Sequence, residues 1–165
     1  YYVSDIRDKF PDEIEEDALD TQKYVVAQIQ ECYSRAVRYY QIDTEAVIDE
    51  LFDTIESSPA TSSNPADYID AHSLEYRELT YYGQYSLNYI FHKFMEGEQN
   101  GLRGQLMRIL LDDLAPEAKL RLYAETGQEY FDEWAKGAVQ VLEQHDMDWI
   151  KEDQPAMWIY LQMVE

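Results

Sequence analysis

The chain has 165 residues, with 13 Lys and Arg against 34 Asp and Glu, a formal net charge of −21. Its length suits one domain, and 45% hydrophobic with 14% aromatic residues supply a core, so the acidity is not the mark of a disordered chain, which needs low hydrophobicity as well as charge. A surface this negative excludes direct binding to DNA, RNA or anionic membranes, each of which requires Lys and Arg against phosphate.

In chain order, Tyr1–Ile6 reads as a short strand or as irregular chain, and Pro11 to Asp20 is almost solid acid. A helix is predicted from about Asp20 to Tyr40, where Val25, Ile29, Tyr33 and Val37 recur at four-residue steps. Cys32 falls inside that pattern and reads as a small buried hydrophobe. As the only cysteine it has no intramolecular partner, which fits a reducing cytoplasm. Asp43 or Thr44 caps a second helix over Glu45–Glu56, with Val47, Ile48, Leu51, Phe52 and Ile55 as its buried stripe. The stretch from Ser57 to Pro65 has two prolines and no large apolar residue, the composition of a linker.

Asn64 and Pro65 read as an N-cap and first-turn proline opening a helix or helix pair to about Glu96, with breaks at Ser73 or Gly83. Leu79, Leu87, Ile90, Phe91, Phe94 and Met95 are its core candidates, and Gly97, Gly101 and Gly104 mark a loop after it. Leu102–Leu114 is apolar nearly all round at its C-terminal end, as a central helix would be. Pro116 opens a short helix to about Glu125. Thr126 and Glu129 match a capping box for a helix to about His145 that buries Tyr130, Phe131, Trp134, Val141 and Leu142. Ala156–Val164 is a final helix, or else a strand beside Tyr1–Ile6. The expected fold is therefore mostly α, a compact domain of about six helices, with a short N-/C-terminal strand pair as the alternative ending. It spans 1–165 as a single domain, with a flexible linker near 57–65 between an N-terminal and a C-terminal helical part. No apolar run approaches the ~20 residues of a membrane span, and the N-terminus lacks the basic and apolar regions of a signal peptide.

The sequence carries no recognisable motif for chemistry. His72, His92 and His145 are mutually distant, so no HExxH pair exists, and none follows a Glu by three residues. His72 and His145 read as solvated residues at helix ends, and His92 as packed beside Phe91 and Phe94. Asp146, Asp148, Glu152 and Asp153 lack the glycine and the ligand spacing of a calcium loop. No phosphate loop and no GxSxG elbow is present. No catalytic residue, cofactor or metal is expected, and the chain reads as a binding protein.

The remaining signal is the placement of charge. Asp12, Glu13, Glu16, Asp17 and Asp20 form one acidic stripe; Glu45, Asp49, Asp53 and Glu56 a second; Glu125, Glu129, Asp132 and Glu133 a third, partly relieved by Lys136; Asp146, Asp148, Glu152 and Asp153 a fourth. Like charges at i,i+4 cost a few tenths of a kcal/mol per pair, so something other than helix stability favours them. Successive i,i+4 carboxylates stand about 6 Å apart, and several such faces side by side approach the charge density of a duplex. Tyr81, Tyr82, Tyr85 and Tyr89 cluster on one helix face, an arrangement suited to a half-buried core, a partner interface or a homodimer seam.

Small, acidic, helical and rich in Tyr, the chain resembles in profile the phage-type DNA mimics that block restriction or CRISPR enzymes; the resemblance is one of composition and carries no motif. It implies a stoichiometric inhibitor, without chemistry, of a basic nucleic-acid-binding protein such as a nuclease or a CRISPR or restriction component. The alternatives are an immunity or antitoxin protein that neutralises a basic toxin, and an enzyme with an unrecognised carboxylate site.

Overall fold

In a computed structural model of the chain, the residues described are 25, 27–36 and 43–164. Contacts group the chain into two units, residues 1–43 and 44–165, and each is described by itself. In the first, residues 27–36 are helical, inside the helix predicted over 20–40, and Arg35 pairs with Glu31 at 3.8 Å one turn away. Cys32 is exposed, against the expectation of burial; it lies about 100° around the helix from Tyr33 and so off the Ile29–Tyr33 face. The acidic stripe of Asp12, Glu13, Glu16, Asp17 and Asp20, and the alternative strand Tyr1–Ile6, lie outside the described residues.

The second unit is built from helices. They are α1 (Thr44–Glu56), α2 (Pro65–Ala71), α3 (Ser73–Tyr81), α4 (Gln84–Glu96), α5 (Leu102–Leu114), a 3₁₀ turn (Pro116–Ala118), α6 (Gly127–Gln144), α7 (Met147–Asp153) and α8 (Pro155–Met163). No strand occurs among the described residues, and Ala156–Val164 takes its helical alternative. There are more helices than the six expected. The 65–96 stretch breaks at both His72 and Gly83, where the sequence offered a break at Ser73, one residue on from the first, or at Gly83. Asp146 starts a short extra helix by accepting a hydrogen bond from the Trp149 N–H at 2.9 Å. Conversely, the helix expected from Pro116 to Glu125 stops after one 3₁₀ turn.

The caps follow the local sequence. Asn64 accepts from the Ala66 N–H at 3.1 Å, with Pro65 in the first turn. Thr126 accepts from the Glu129 N–H at 3.1 Å. Glu129 reaches back to the Glu125 N–H at 3.1 Å, one residue before the cap itself. The Ser- and Pro-rich segment lies inside this unit, between α1 and α2, which pack on each other. Ser58 Oγ contacts His72 Nε2 at 2.9 Å and the Tyr68 hydroxyl donates to the Ser62 carbonyl at 3.0 Å.

α4 and α5 form the centre: α4 packs against α1, α5 and α8, and α5 against α1, α2, α3, α4 and α6. An aromatic cluster joins α4, α6 and α8. Phe94 and Phe131 stack at 4.7 Å, Phe91 lies 5.3 Å from Trp134, and Tyr160 meets Phe131 edge-on at 5.6 Å. Pairs of this kind add about 0.5–1.5 kcal/mol each beyond the area they bury. Met95 and Leu142, expected in the core, are exposed, and Val141 is half-buried, because each lies at the margin of its helix's buried face.

Gly104 belongs to α5 rather than to a loop. It is buried there because α6 starts against it: a Cβ on Gly127 would lie 2.0 Å from the Gly104 carbonyl oxygen. Gln128 completes the join. Its N–H donates to the Gln99 carbonyl at 3.1 Å, and its Nε2 donates to the Phe94 carbonyl at 3.0 Å. The start of α6 is thereby set against α5 and the end of α4. Gly127→Ala should therefore lower the unfolding free energy by about 2 kcal/mol, the cost of overpacking against fixed backbone, whereas Gly137→Ala, where a Cβ meets nothing within 4 Å, should stabilise; chemical denaturation of both variants checks the pair.

Candidate functional site

Among the described residues, the stripe on α1 is the most fully ion-paired. Arg103, from α5, donates to Asp49 at 2.9 Å through Nη1, to Asp53 at 2.5 Å through Nη2 and to Glu56 at 2.5 Å through Nε. Its Nη1 also donates to the Tyr89 hydroxyl at 2.9 Å, and that hydroxyl donates to Asp49 at 2.5 Å. The guanidinium lies 5.3 Å from the centre of the Phe52 ring, which stacks on Tyr89. Lys93, from α4, reaches Glu45 at 3.5 Å. Four carboxylates thus meet two cations that arrive from other helices, so this stripe is a seam between α1, α4 and α5 more than a free acidic face. Arg103 supplies it because its planar fork of donors serves several acceptors at once.

The hydrogen bond from Tyr89 holds the Asp49 carboxyl below its ordinary value of 3.8; partial burial opposes this and the Arg103 charge supports it. Burial, then the bond to Asp49, raises the Tyr89 hydroxyl in turn.

A second cluster, which the sequence reading missed, closes the C-terminal end of α5. The Tyr130 hydroxyl donates to Asp112 at 2.5 Å and accepts from the Leu120 N–H at 2.9 Å. The Tyr76 hydroxyl donates to Asp113. Arg108 lies 4.4 Å from the centre of the Tyr130 ring. Burial raises the Asp112 carboxyl despite its bond from Tyr130, and burial with that same bond pushes the Tyr130 hydroxyl up to about 12. The adjacent acids Asp112 and Asp113 carried no periodic signal; only the fold brings a tyrosine to each.

The third and fourth stripes remain at the surface. Glu125, Glu129, Asp132 and Glu133 are exposed, as are Asp146, Asp148, Glu152 and Asp153. Two of them carry structural duties, Glu129 and Asp146 as caps. Lys136 pairs with Glu133 at 3.0 Å, and Lys151 lies 5.0 Å from the centre of the Trp158 ring.

The tyrosine face turns inward. Tyr89 is buried, and Tyr81, Tyr82 and Tyr85 are half-buried, with Tyr82 and Tyr85 packed on the core and the Tyr82 hydroxyl bound to Glu78. The use of Tyr89 as an interface residue is thereby corrected: it is spent on Asp49 and Arg103. His92 is exposed, on the side of α4 away from Phe91 and Phe94. His72 is partly buried, with Ser58 at one ring nitrogen and Glu75 3.6 Å from the other. His145 stacks on Trp149 at 3.6 Å. Among the described residues no group of three or more His, Cys, Asp or Glu is arranged to hold a metal ion, and no helix is long and apolar enough to cross a membrane. Comparison of the chain with protein-family models, with curated proteins and with solved structures returns no match in any of the three.

Three outcomes follow from this geometry. Removing Arg103 while keeping its bulk (Arg103→Met) should cost about 2 kcal/mol, since three carboxylates lose their shared cation, with Arg103 only 22% exposed. At Asp49 the native state binds its proton less readily than the unfolded chain, so the stabilisation is present above pH 3.8 and is lost as pH falls below it. The stability gap between wild type and Asp49→Asn should accordingly close on acidification. At Asp112 the sign is opposite: its raised carboxyl favours the protonated native state, and stability is given up as pH rises past 3.8. Asp112→Asn keeps an acceptor for Tyr130 and should be more stable than wild type at neutral pH, with the difference vanishing in acid; thermal melts across pH read both.

Proposed function

We propose that the protein is a stoichiometric acidic decoy that occupies the basic cleft of a nucleic-acid-binding protein, without chemistry of its own. The observation that carries this reading is the sorting of charge in residues 44–165, where 8 Lys and Arg face 24 Asp and Glu, a net of −16. Arg103 and Lys93 are drawn into the helix seams, while the acids of α6 and α7 stay at the surface with their own two lysines already engaged. The interaction surface is accordingly placed on Glu125, Asp132, Glu133, Asp148, Glu152 and Asp153, and the α1 stripe is assigned to the fold. Asp148 and Glu152 stand one turn apart on α7, about 6 Å, a spacing a Lys- or Arg-lined cleft can engage. Association of this kind is electrostatically steered and weakens with salt.

The test is capture from host lysate by the immobilised protein, at low and high salt, with duplex DNA as competitor. Basic nucleic-acid-binding proteins should be retained at low salt and released by DNA, and the triple variant Asp148→Asn/Glu152→Gln/Asp153→Asn should retain several-fold less while melting normally. Retention of no basic protein at low salt would sink the proposal. A retained protein that DNA does not displace would favour an immunity-type complex with a basic toxin.

A further inference from the structure

Two depressions flank the middle of α6. The larger, about 820 Å³, is lined by Phe94, Met95, Phe131, Val139, Tyr160 and Val164 among others. The smaller, about 530 Å³, is lined by Leu122, Tyr123 and Ala124 with Glu129 and Glu133. Asp132 and Lys136 border both, so the two are neighbours across one ridge. Among the described residues, five of the eight exposed large hydrophobic ones fall in these depressions: Met95, Val139 and Val164 in one, Leu122 and Tyr123 in the other. Tyr123 is 87% exposed and Val139 46%. Isolated apolar residues on a surface need no explanation, whereas a concentration of them around a polar ridge marks an interaction site. The ridge carries Glu129, Asp132 and Glu133, and its one cation, Lys136, is held by Glu133.

We infer that this apolar–acidic–apolar surface seats a basic amphipathic segment of the partner. Apolar side chains at either end of the segment enter the two depressions, and Lys or Arg between them meets Asp132 and Glu133. Charge selects this occupant over a second copy. A twofold seam sets the same patch against itself, and here that confronts three carboxylates with three more. The inference rests on the reading of the partner as basic, and it adds an apolar hold to what charge alone supplies.

The probe is a synthetic peptide with leucines at both ends and Arg and Lys in the middle. Its control is an isomer of the same composition with the leucines in the middle and the basic residues outside. Titrated into the full chain with labelled methyl groups, the first peptide should bind about tenfold more tightly, the equivalent of burying roughly one large apolar side chain. It should shift the Met95, Val139, Val164 and Leu122 methyls. Val139→Glu/Tyr123→Ser should erase the preference, Tyr123→Ser alone should reduce it, and Leu74→Ser, at the exposed Leu74 of α3, should leave it unchanged. Equal affinities for the two peptides, or shifts elsewhere on the molecule, would overturn the inference. So would self-association that Val139→Glu abolishes, since the groove would then belong to a second copy. Equal peptide affinities together with DNA-displaceable capture from lysate reject the apolar hold and leave the decoy reading standing. Discrimination between the peptides with no basic protein captured rejects the decoy reading alone.

Discussion

One guanidinium organises the second unit. Arg103 leaves α5 and gathers Asp49, Asp53 and Glu56, three acids that share one side of α1, together with the Tyr89 hydroxyl of α4. On an isolated helix those acids would repel one another at i,i+4 and i,i+3. With a multidentate cation between them, the same repulsion becomes a preference for a docked α1. Phe52 and Tyr89 stack beneath the charge at 5.5 Å, so the ionic seam sits directly on the apolar one. The two central helices, α4 and α5, are in this way both tied to α1, and α6 and α8 are then built on their other faces.

This arrangement divides the chain's carboxylates into two populations. Asp49, Asp53, Glu56, Asp112 and Asp113 have partners that only the fold supplies, and their removal acts on stability. Asp148, Glu152 and Asp153 are exposed on a seven-residue helix, and none of them serves as its cap. On the proposed decoy reading, this excess of acid that no helix seam uses is what an external cation would meet, and the functional weight moves from α1, the most regular stripe in the sequence, to α6 and α7.

What was legible in the sequence was whatever is decided within one turn of helix. Asn64 before Pro65, Thr126 with Glu129 and the 3.6-residue stripe of Ile48, Phe52 and Ile55 rest on neighbours three or four residues away. What was not legible was decided across the chain. Arg103 sits 47 residues from Glu56 and 54 from Asp49, and nothing in Leu-Arg-Gly-Gln marks it as their counterion. Gly104 was assigned to a loop because glycine is a helix breaker by propensity; its place in α5 is set by the approach of Gly127, more than twenty positions on. The misplacement of His92 has a subtler cause. Adjacent residues on a helix stand about 100° apart, so sitting next to Phe91 in sequence puts His92 off the buried face. The tyrosines were read as one helix face, but α3 ends at Tyr81 and the chain breaks at Gly83 before Tyr85 and Tyr89 in α4; the partners that hold the Tyr89 hydroxyl inward, Asp49 and Arg103, come from α1 and α5.

A decoy for nucleic acid faces a physical handicap that bears on the groove beside α6. Duplex DNA carries one charge per ~1.7 Å of axis and a condensed layer of counterions, and release of those counterions drives much of its binding. Helix carboxylates about 6 Å apart condense few counterions and so gain little from release. Charge alone would leave such a protein the weaker competitor for a cleft evolved to hold phosphate. Apolar area gives an independent contribution, about 25 cal/mol per Å² buried, that nucleic acid backbone does not offer and that salt does not screen. Exposed Met95, Val139 and Val164 on one side of the acidic ridge, with Leu122 and Tyr123 on the other, place that area next to the charge. Carboxylates would then govern the encounter, and apolar contacts the lifetime of the complex.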